Sequence, residues 1–261
     1  MRIERGNIMT NRKFITFFLL ATIGACGALA QPSAQTFSSA ADASQSLFQA
    51  VRDNDAQAVV RILGGPTELA SSNNDSQDKV DRELFVEKYQ QMHRVTRNAD
   101  GSMTLYIGAE NWPFPIPLVQ KDGLWRFDPD TGAKEVLFRR IGNNEFVAIE
   151  ICHEFVAMKN ANAAPGQASE LSPLRSLAAA GQTESVLFHG YYFRVLPGSQ
   201  PYGAALVAYP AEYRSSGVMT FVVTNKKVVY ERDLGAESSS IANAMHVFKK
   251  DSSWQNAEGE K

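Results

Sequence analysis

The fold of the C-terminal half is decided by residues 189–235, HGYYFRVLPGSQPYGAALVAYPAEYRSSGVMTFVVTNKKVVYERDLG. Apolar and aromatic runs are separated there by Pro, Gly, Ser and Asn, which is typical of short antiparallel strands joined by turns. We expect strands near 186–196, 203–209, 218–224 and 227–232. An antiparallel meander needs an apolar cover, and a terminal helix from about Ser239 would supply part of it with Ile241, Met245 and Phe248.

The N-terminal half begins with a helical pattern. It predicts helices from Ala41 onward with a break before Asp55, which would cap the second helix. The period then changes, and the run 112–119 (WPFPIPLV) predicts an edge strand because its alternate prolines lack an N–H. A turn at 121–123 leads into a strand at 124–127. Helices followed by such a hairpin predict a curved antiparallel sheet, cystatin- or nuclear-transport-factor-like by analogy of element order.

These patterns predict an α+β chain of two domains. Residues 131–160 read as two helices that are separated at Gly142. The N-terminal α+β domain spans 41–161, and the C-terminal domain, a β-meander with a terminal helix, spans 186–261. The polar segment 162–185 is predicted to be the linker between them.

The first 30 residues have the pattern of a signal peptide, and residues 31–40 that of a linker. Residues 11–13 (NRK) precede the apolar run 14–25, which is too short to span a bilayer comfortably. Residues 28–30 (ALA) favour cleavage after Ala30 and export to the periplasm. Alternatively, residues 23–26 (IGAC) resemble a bacterial lipobox, in which case Cys26 is lipidated and the protein is an outer-membrane lipoprotein. Either outcome removes Cys26 as a disulfide partner and leaves Cys152 alone, so no intramolecular disulfide is expected.

The charge of the chain argues against nucleic-acid binding. The first 30 residues hold four basic and one acidic side chain, so residues 31–261 hold 22 basic and 27 acidic ones, a net charge of −5. Non-specific binding to nucleic acid needs a basic face that releases phosphate counterions. We therefore expect no nucleic-acid partner, and contact with a membrane only through a lipid anchor.

The aromatic strands of the C-terminal domain predict the candidate ligand-binding residues. At strand spacing about half of these side chains should pack into the core, and we expect Tyr192, Arg194 and Tyr213 to face outward. The predicted ligand-binding residues are His189, Tyr191, Tyr192, Arg194 and Tyr213.

No catalytic, metal or cofactor site is predicted. Glu150 and His153 share a helix face at the spacing of carboxylate-bridged metal sites, but the second ligand pair is missing. Nucleophilic hydrolysis would need His189 and Asp233 within hydrogen-bonding reach of Ser215 or Ser216, and no Gly-x-Ser-x-Gly elbow is present.

Six strings of the sequence carry a resemblance: WPFPIPLV at 112–119, WRFD at 125–128, RRIG at 139–142, HGYYFR at 189–194, YPAEY at 209–213 and SGVMTF at 216–221. They resemble a known bacterial family, domain of unknown function 2950. They occur in order from about Ala41 to Trp254, although the segments 158–187 and 194–203 are shorter than the family pattern. The resemblance implies an exported protein of Gram-negative bacteria and no site residues.

Three functional hypotheses follow. The leading one is a non-catalytic envelope protein that binds a protein partner or a small ligand. The second is a periplasmic hydrolase that uses His189 or His153 with nearby carboxylates. The third is an assembly factor anchored in the membrane through lipidated Cys26.

Overall fold

The computed structural model describes residues 34–65, 75–160, 172–180, 184–196 and 204–259. The predicted signal peptide and its Cys26 lie outside these ranges. The α+β class is confirmed, because helices and two antiparallel sheets make up the described chain.

The described residues form two compact units, which divide after Val136. The elements of the described residues are α1 (Ala40–Arg52), α2 (Ala56–Leu63), α3 (Asp75–Gln91), β1 (His93–Arg97), β2 (Met103–Ile107), β3 (Trp112–Pro113), β4 (Leu118–Lys121), β5 (Leu124–Phe127), α4 (Pro129–Asn160), α5 (Pro173–Ala180), β6 (Val186–Phe188), β7 (Tyr191–Leu196), β8 (Ala205–Pro210), β9 (Met219–Val223), β10 (Val229–Asp233), α6 (Ser238–Ala244) and β11 (Gln255–Asn256).

Side-chain caps fix where the first two helices begin. The hydroxyl of Ser39 accepts a hydrogen bond from the N–H of Asp42 at the start of α1. The carboxylate of Asp55 accepts one from the N–H of Ala58, 2.9 Å away, at the start of α2. Each bond satisfies a backbone donor that has no partner inside the helix. The predicted cap at Asp55 is confirmed.

The first sheet has the order β1-β2-β4-β5, with β3 paired to β2. Strand β1 lies at one edge and pairs with β2 from His93 opposite Ile107 to Arg97 opposite Met103. Leu105, Ile107, Leu118 and Phe127 are fully buried in the core that this sheet shares with α1, α2 and α3. The sequence did not predict β1.

The proline-rich run does not form the single strand that was predicted. Only 112–113 and 118–121 are strands, and the segment between them turns Phe114 and Ile116 into the core. Three prolines in this run remove three backbone donors, so a continuous ladder of hydrogen bonds cannot form. Burial of the Phe114 and Ile116 side chains stabilises the turn instead.

The segment before α1, predicted as a linker, is fixed at Phe37. Its backbone N–H and C=O both bond to the backbone of Trp125, each at 2.8 Å. Both side chains are buried. This one-residue bridge holds the first turn of α1 beside β5.

Helix α4 runs unbroken over 32 residues, so the predicted break at Gly142 is wrong. A glycine inside a helix costs about 1 kcal/mol relative to alanine, and burial of Arg140, Asn144 and Ala148 around it keeps the helix intact. The division between the compact units falls inside α4, after Val136, whereas the sequence places the boundary in 162–185.

The division lies in α4 because its buried side chains serve two cores in turn. Val136 belongs to the core of the first sheet, and Ala148, Ile151, Cys152 and Phe155 belong to the core beneath the second.

The second sheet is a meander with the order β11-β10-β9-β8-β7-β6, which confirms the predicted architecture. The stretch predicted as one strand near 186–196 is a hairpin that turns at His189 and Gly190. Both residues have positive φ angles, 45° and 72°, as the favoured two-residue hairpin turn requires.

The two faces of this sheet are buried separately. Tyr191, Phe193 and Phe221 pack with residues of α4 and α5 on one face. Leu196, Tyr209 and Val222 pack with Ala242 of α6, Phe248 and Trp254 on the other. The predicted apolar face of the terminal helix is wrong at Ile241, which is exposed. Phe248, predicted on the same face, lies beyond the end of α6, because this helix has only seven residues.

None of the helices within the described ranges combines the length and apolar character needed to cross a bilayer.

Replacement of Gly142 tests the continuity of α4. A Cβ at this position meets no atom within 4 Å, so Gly142→Ala should raise the free energy of unfolding by about 0.5–1 kcal/mol through helix propensity. Chemical denaturation of the variant and the wild type measures this. As a contrast, Gly217→Ala should destabilise, because its Cβ would overlap the buried ring of Tyr191. A destabilising Gly142→Ala would contradict a continuous helix.

Candidate functional site

Tyr191 is a structural residue of the second unit. Its side chain is fully buried, and its hydroxyl donates to the carbonyl of Met219 at 2.9 Å. A carboxylate oxygen of Glu145 lies 3.4 Å from the same hydroxyl. Burial and then the charge of Glu145 raise the pKa of Tyr191 far above its ordinary value, so the phenol stays neutral.

Arg194 lies on the opposite face of the sheet from Tyr191 and is only 6% exposed. The expectation that it faces outward is therefore wrong. Its Nη2 donates to the carbonyls of Ala242 and Met245, each at 2.6 Å. These carbonyls are at the end of α6, where a helix leaves acceptors unsatisfied. The guanidinium is buried because it pairs with them.

The other three predicted ligand-binding residues are spread over the same unit. Tyr192 is half-buried on the Arg194 face, with its ring 5.6 Å from that of Tyr209. His189 lies in the hairpin turn, and partial burial of its ring lowers its pKa. The hydroxyl of Tyr213 donates to Asp233 at 3.1 Å. Opposite faces of one sheet thus separate members of the predicted set.

The arrangement that a serine hydrolase requires is not formed by the described residues. The Ser216 hydroxyl exchanges hydrogen bonds with the backbone N–H and carbonyl of Glu212. Asp233 accepts from Tyr213 and from the N–H of Gly235. No hydrogen bond joins His189 to Ser215, Ser216 or Asp233, all of which the structure describes.

The remaining chemical candidates lie on α4. His153 is 3.4 Å from the carboxylate of Glu258. Cys152 is fully buried, and burial raises the pKa of its thiol, so it behaves as a small apolar side chain. Among the described residues no three His, Cys, Asp or Glu side chains are grouped as metal ligands.

Three side chains of α4 hold the loop between β8 and β9. Arg140 Nε donates to the carbonyl of Ser215 at 3.1 Å, and Asn144 Nδ2 donates to that of Ser216 at 2.8 Å. Glu145 accepts from the N–H groups of Val218 and Met219 at 2.9 and 3.0 Å. The aromatic stretch of the second unit is therefore organised for packing.

A ligand-sized cleft lies instead in the first unit. Its volume is about 620 Å³, within the 300–1,000 Å³ typical of small-molecule sites. A cavity of about 50 Å³ beside α2 is too small for such a ligand. The cleft is lined by Ser39, Ala40, Ala41, Asp42, Ser44 and Gln45 of α1 and its cap, Tyr89 of α3, His93, Val95 and Arg97 of β1, Met103 of β2 and Trp125 of β5.

Strand alternation places the β1 residues in the cleft. Successive side chains of a strand point to opposite faces, so His93, Val95 and Arg97 share one face. Arg94 lies on the other face, where its guanidinium covers the ring of Tyr106. The first turn of α1, held by the Phe37 bridge, forms the opposite wall.

His93 is held in one orientation. Its ring stacks on that of Tyr89 with centroids 4.0 Å apart and planes 11° from parallel. Its Nδ1 is 2.9 Å from the carbonyl oxygen of Tyr89, and since a carbonyl only accepts, Nδ1 carries the proton. The other ring nitrogen, Nε2, is then left for a hydrogen bond outside the protein.

The polar groups near Tyr89 are already satisfied. Its hydroxyl shares a hydrogen bond of 3.0 Å with that of Ser44, and burial raises its pKa. Asp42 accepts a hydrogen bond from the hydroxyl of Ser38. The hydrogen bonds of Ser38 and then Ser39 lower the pKa of Asp42. The Asp42 carboxylate is therefore ionised at neutral pH.

Sequence reasoning missed this cleft. The available signal was the pair Tyr89 and His93, four residues apart across the end of α3, with Arg97 four further along. Recognition of β1 as a strand would have placed His93, Val95 and Arg97 on one face. The contribution of Trp125 depends on the sheet order and was not accessible from local pattern.

A family model described as "Protein of unknown function (DUF2950)" matches residues 34–164 and 160–257. This chain belongs to that family. The first matched range of the DUF2950 chain contains every residue that lines the cleft. No curated protein and no solved structure matches it, and the cystatin- or nuclear-transport-factor-like analogy stays a prediction.

Glu231 should make the second unit sensitive to pH. Burial and then the charge of Glu145 raise its pKa, so the folded state holds this proton more tightly than the unfolded state does. Ionised Glu231 thus reduces stability above its folded pKa, and the loss is recovered as pH falls toward the unfolded value. Glu231→Gln should be more stable than wild type at pH 7, by a margin that shrinks toward pH 4.

Urea denaturation at both pH values measures this margin, with the exposed Glu184→Gln as the matched control. Equal margins at the two pH values would contradict the prediction.

Proposed function

We propose that this DUF2950 protein is an exported, non-catalytic protein that binds a small ligand in the cleft of its first unit. The observation that carries the proposal is the cleft itself, with its volume of about 620 Å³ and a lining of apolar and aromatic side chains beside an equal number of polar and charged ones. In sites that bind small molecules, apolar walls supply affinity and polar groups set orientation.

The walls of the cleft are pre-organised, which supports binding. Tyr89 is stacked between Phe48 and His93, with ring centroids 4.4 and 4.0 Å away. Trp125 is buried and tied through its backbone to Phe37. Side chains that are ordered before binding lose little entropy when a ligand arrives.

Export is supported by the sequence alone, through the cationic residues 11–13, the apolar run 14–25 and the small residues 28–30. Cleavage after Ala30 gives a periplasmic protein. Lipidation of Cys26 is the alternative, and it gives a membrane-anchored one.

Blocking the cleft should abolish ligand binding. Ala41 is exposed in α1 and lines the cleft, so Ala41→Trp places an indole in the cleft at a position that tolerates a large side chain. We expect compounds from a chemically diverse library that raise the melting temperature of wild type to lose this effect in the variant. Gln49→Trp, exposed on the same helix outside the cleft, should retain it.

Two results would contradict the proposal. One is a library in which no compound raises the melting temperature of wild type. The other is a set of compounds that stabilise Ala41→Trp as much as wild type.

Processing of the N-terminus should remove Cys26. When the full chain is expressed in a Gram-negative host, we expect intact-mass analysis of the periplasmic fraction to show a chain that begins at Gln31. Cys26→Ala should leave both the mass and the fraction unchanged. An acylated Cys26, with release from the membrane in Cys26→Ala, would establish the lipoprotein instead, and an unprocessed cytoplasmic chain would overturn export.

A further inference from the structure

We infer that the ligand of the cleft is a small anion with a flat apolar body, and that its anionic group binds Arg97. This inference rests on the proposed function and adds the chemical class of the ligand. It follows from which charged side chains of the cleft already have partners and which do not.

Arg97 is the cleft cation that lacks a partner in the described chain. It lines the cleft and is exposed, and it makes no hydrogen bond or ion pair with any described residue. Its guanidinium offers a planar fork of N–H donors that fits a carboxylate with two parallel hydrogen bonds. A bound anion would supply hydrogen-bond acceptors for the N–H groups of Arg97.

The acidic residue of the cleft is compensated by the protein. Asp42 lies in the first turn of α1, where the positive end of the helix dipole favours a carboxylate. It also accepts from the hydroxyl of Ser38. Because its charge is balanced in this way, a ligand cation has less to gain at Asp42 than a ligand anion has at Arg97.

The apolar wall of the cleft lies between His93 and Arg97, at the two ends of β1, and would contact the body of the ligand. Val95 lies between His93 and Arg97 on the cleft face, and these two residues are about 13 Å apart along an extended strand. Met103 is directly opposite Arg97 on β2, and Trp125 lies on the same wall. A thioether and an indole both make favourable contacts with a flat aromatic ring.

His93 completes the far end of this wall. Its Nδ1–H is bonded to the carbonyl of Tyr89, so Nε2 is the atom that remains for the ligand. It accepts from a hydroxyl in the neutral ring and donates in the protonated ring. The cleft thus combines one anion-binding end, one apolar wall and one versatile polar contact.

A matched pair of probes tests the inference. Naphthalene-2-carboxylate and naphthalene-2-carboxamide share the flat body and differ in charge. Isothermal titration calorimetry on the wild-type protein should show the carboxylate binding about tenfold more tightly, because hydrogen bonds between charged groups are about twice as strong as neutral ones. Higher salt should reduce this preference.

Arg97→Gln should bring the affinities of the two probes to equality. Arg97→Lys, which keeps the charge and loses the fork, should retain part of the difference. Lys121→Gln is the matched control, because it removes one exposed positive charge of the same sheet outside the cleft, and it should keep the full preference.

The outcomes separate this inference from the proposed function. Equal binding of both probes to wild type, or an unchanged preference in Arg97→Gln, overturns the anionic ligand. If Ala41→Trp still abolishes that binding, the cleft stands as a ligand site of another class. Library compounds that bind in the cleft while neither probe does would also overturn the inference, and an absence of any binding overturns both.

Discussion

The structure depends on one unbroken helix, α4, whose side chains pack into two separate hydrophobic cores. In α4 the side chains up to Val136 serve the first core, and those from Ala148 onward serve the second. Between them the buried polar groups of Arg140 and Asn144 bond to backbone carbonyls instead of packing.

This arrangement explains why the aromatic-rich half of the chain is packed rather than open. Several polar groups buried beside its sheet bond to specific backbone atoms: Tyr191 to Met219, Arg194 through Nη2 to the end of α6 and Glu145 to two N–H groups. Unpaired buried polar groups are costly, so these pairings fix a single arrangement. The cleft of the first unit, by contrast, keeps Arg97 unpaired among the described residues.

The sequence predicted the fold class and the meander because both are written in local pattern. Turn residues separate the strands, and Asp55 precedes its helix as a cap should. Prediction from the sequence failed where the role of a residue depends on contacts with residues distant in the chain. Gly142 reads as a break, but its neighbours are buried. Arg194 reads as outward-facing on strand period, but the end of α6 pairs with it. The cleft was missed for the same reason, because Trp125 and Arg97 line one cleft only through the order of the sheet.

The attachment of the chain just before the Phe37 bridge sets the length of any tether. The N–H of Gln35 donates to the carbonyl of Arg61 at 2.9 Å and Ala34 is buried, so the chain is already held against α2 before the Phe37 bridge. The wall of the cleft begins shortly after, at Ser39. Were the chain anchored at Cys26, eight residues would separate the lipid from the buried Ala34, a span of at most about 29 Å when fully extended. The cleft would then sample only a thin layer beside the bilayer, whereas cleavage after Ala30 would release it to sample the whole compartment.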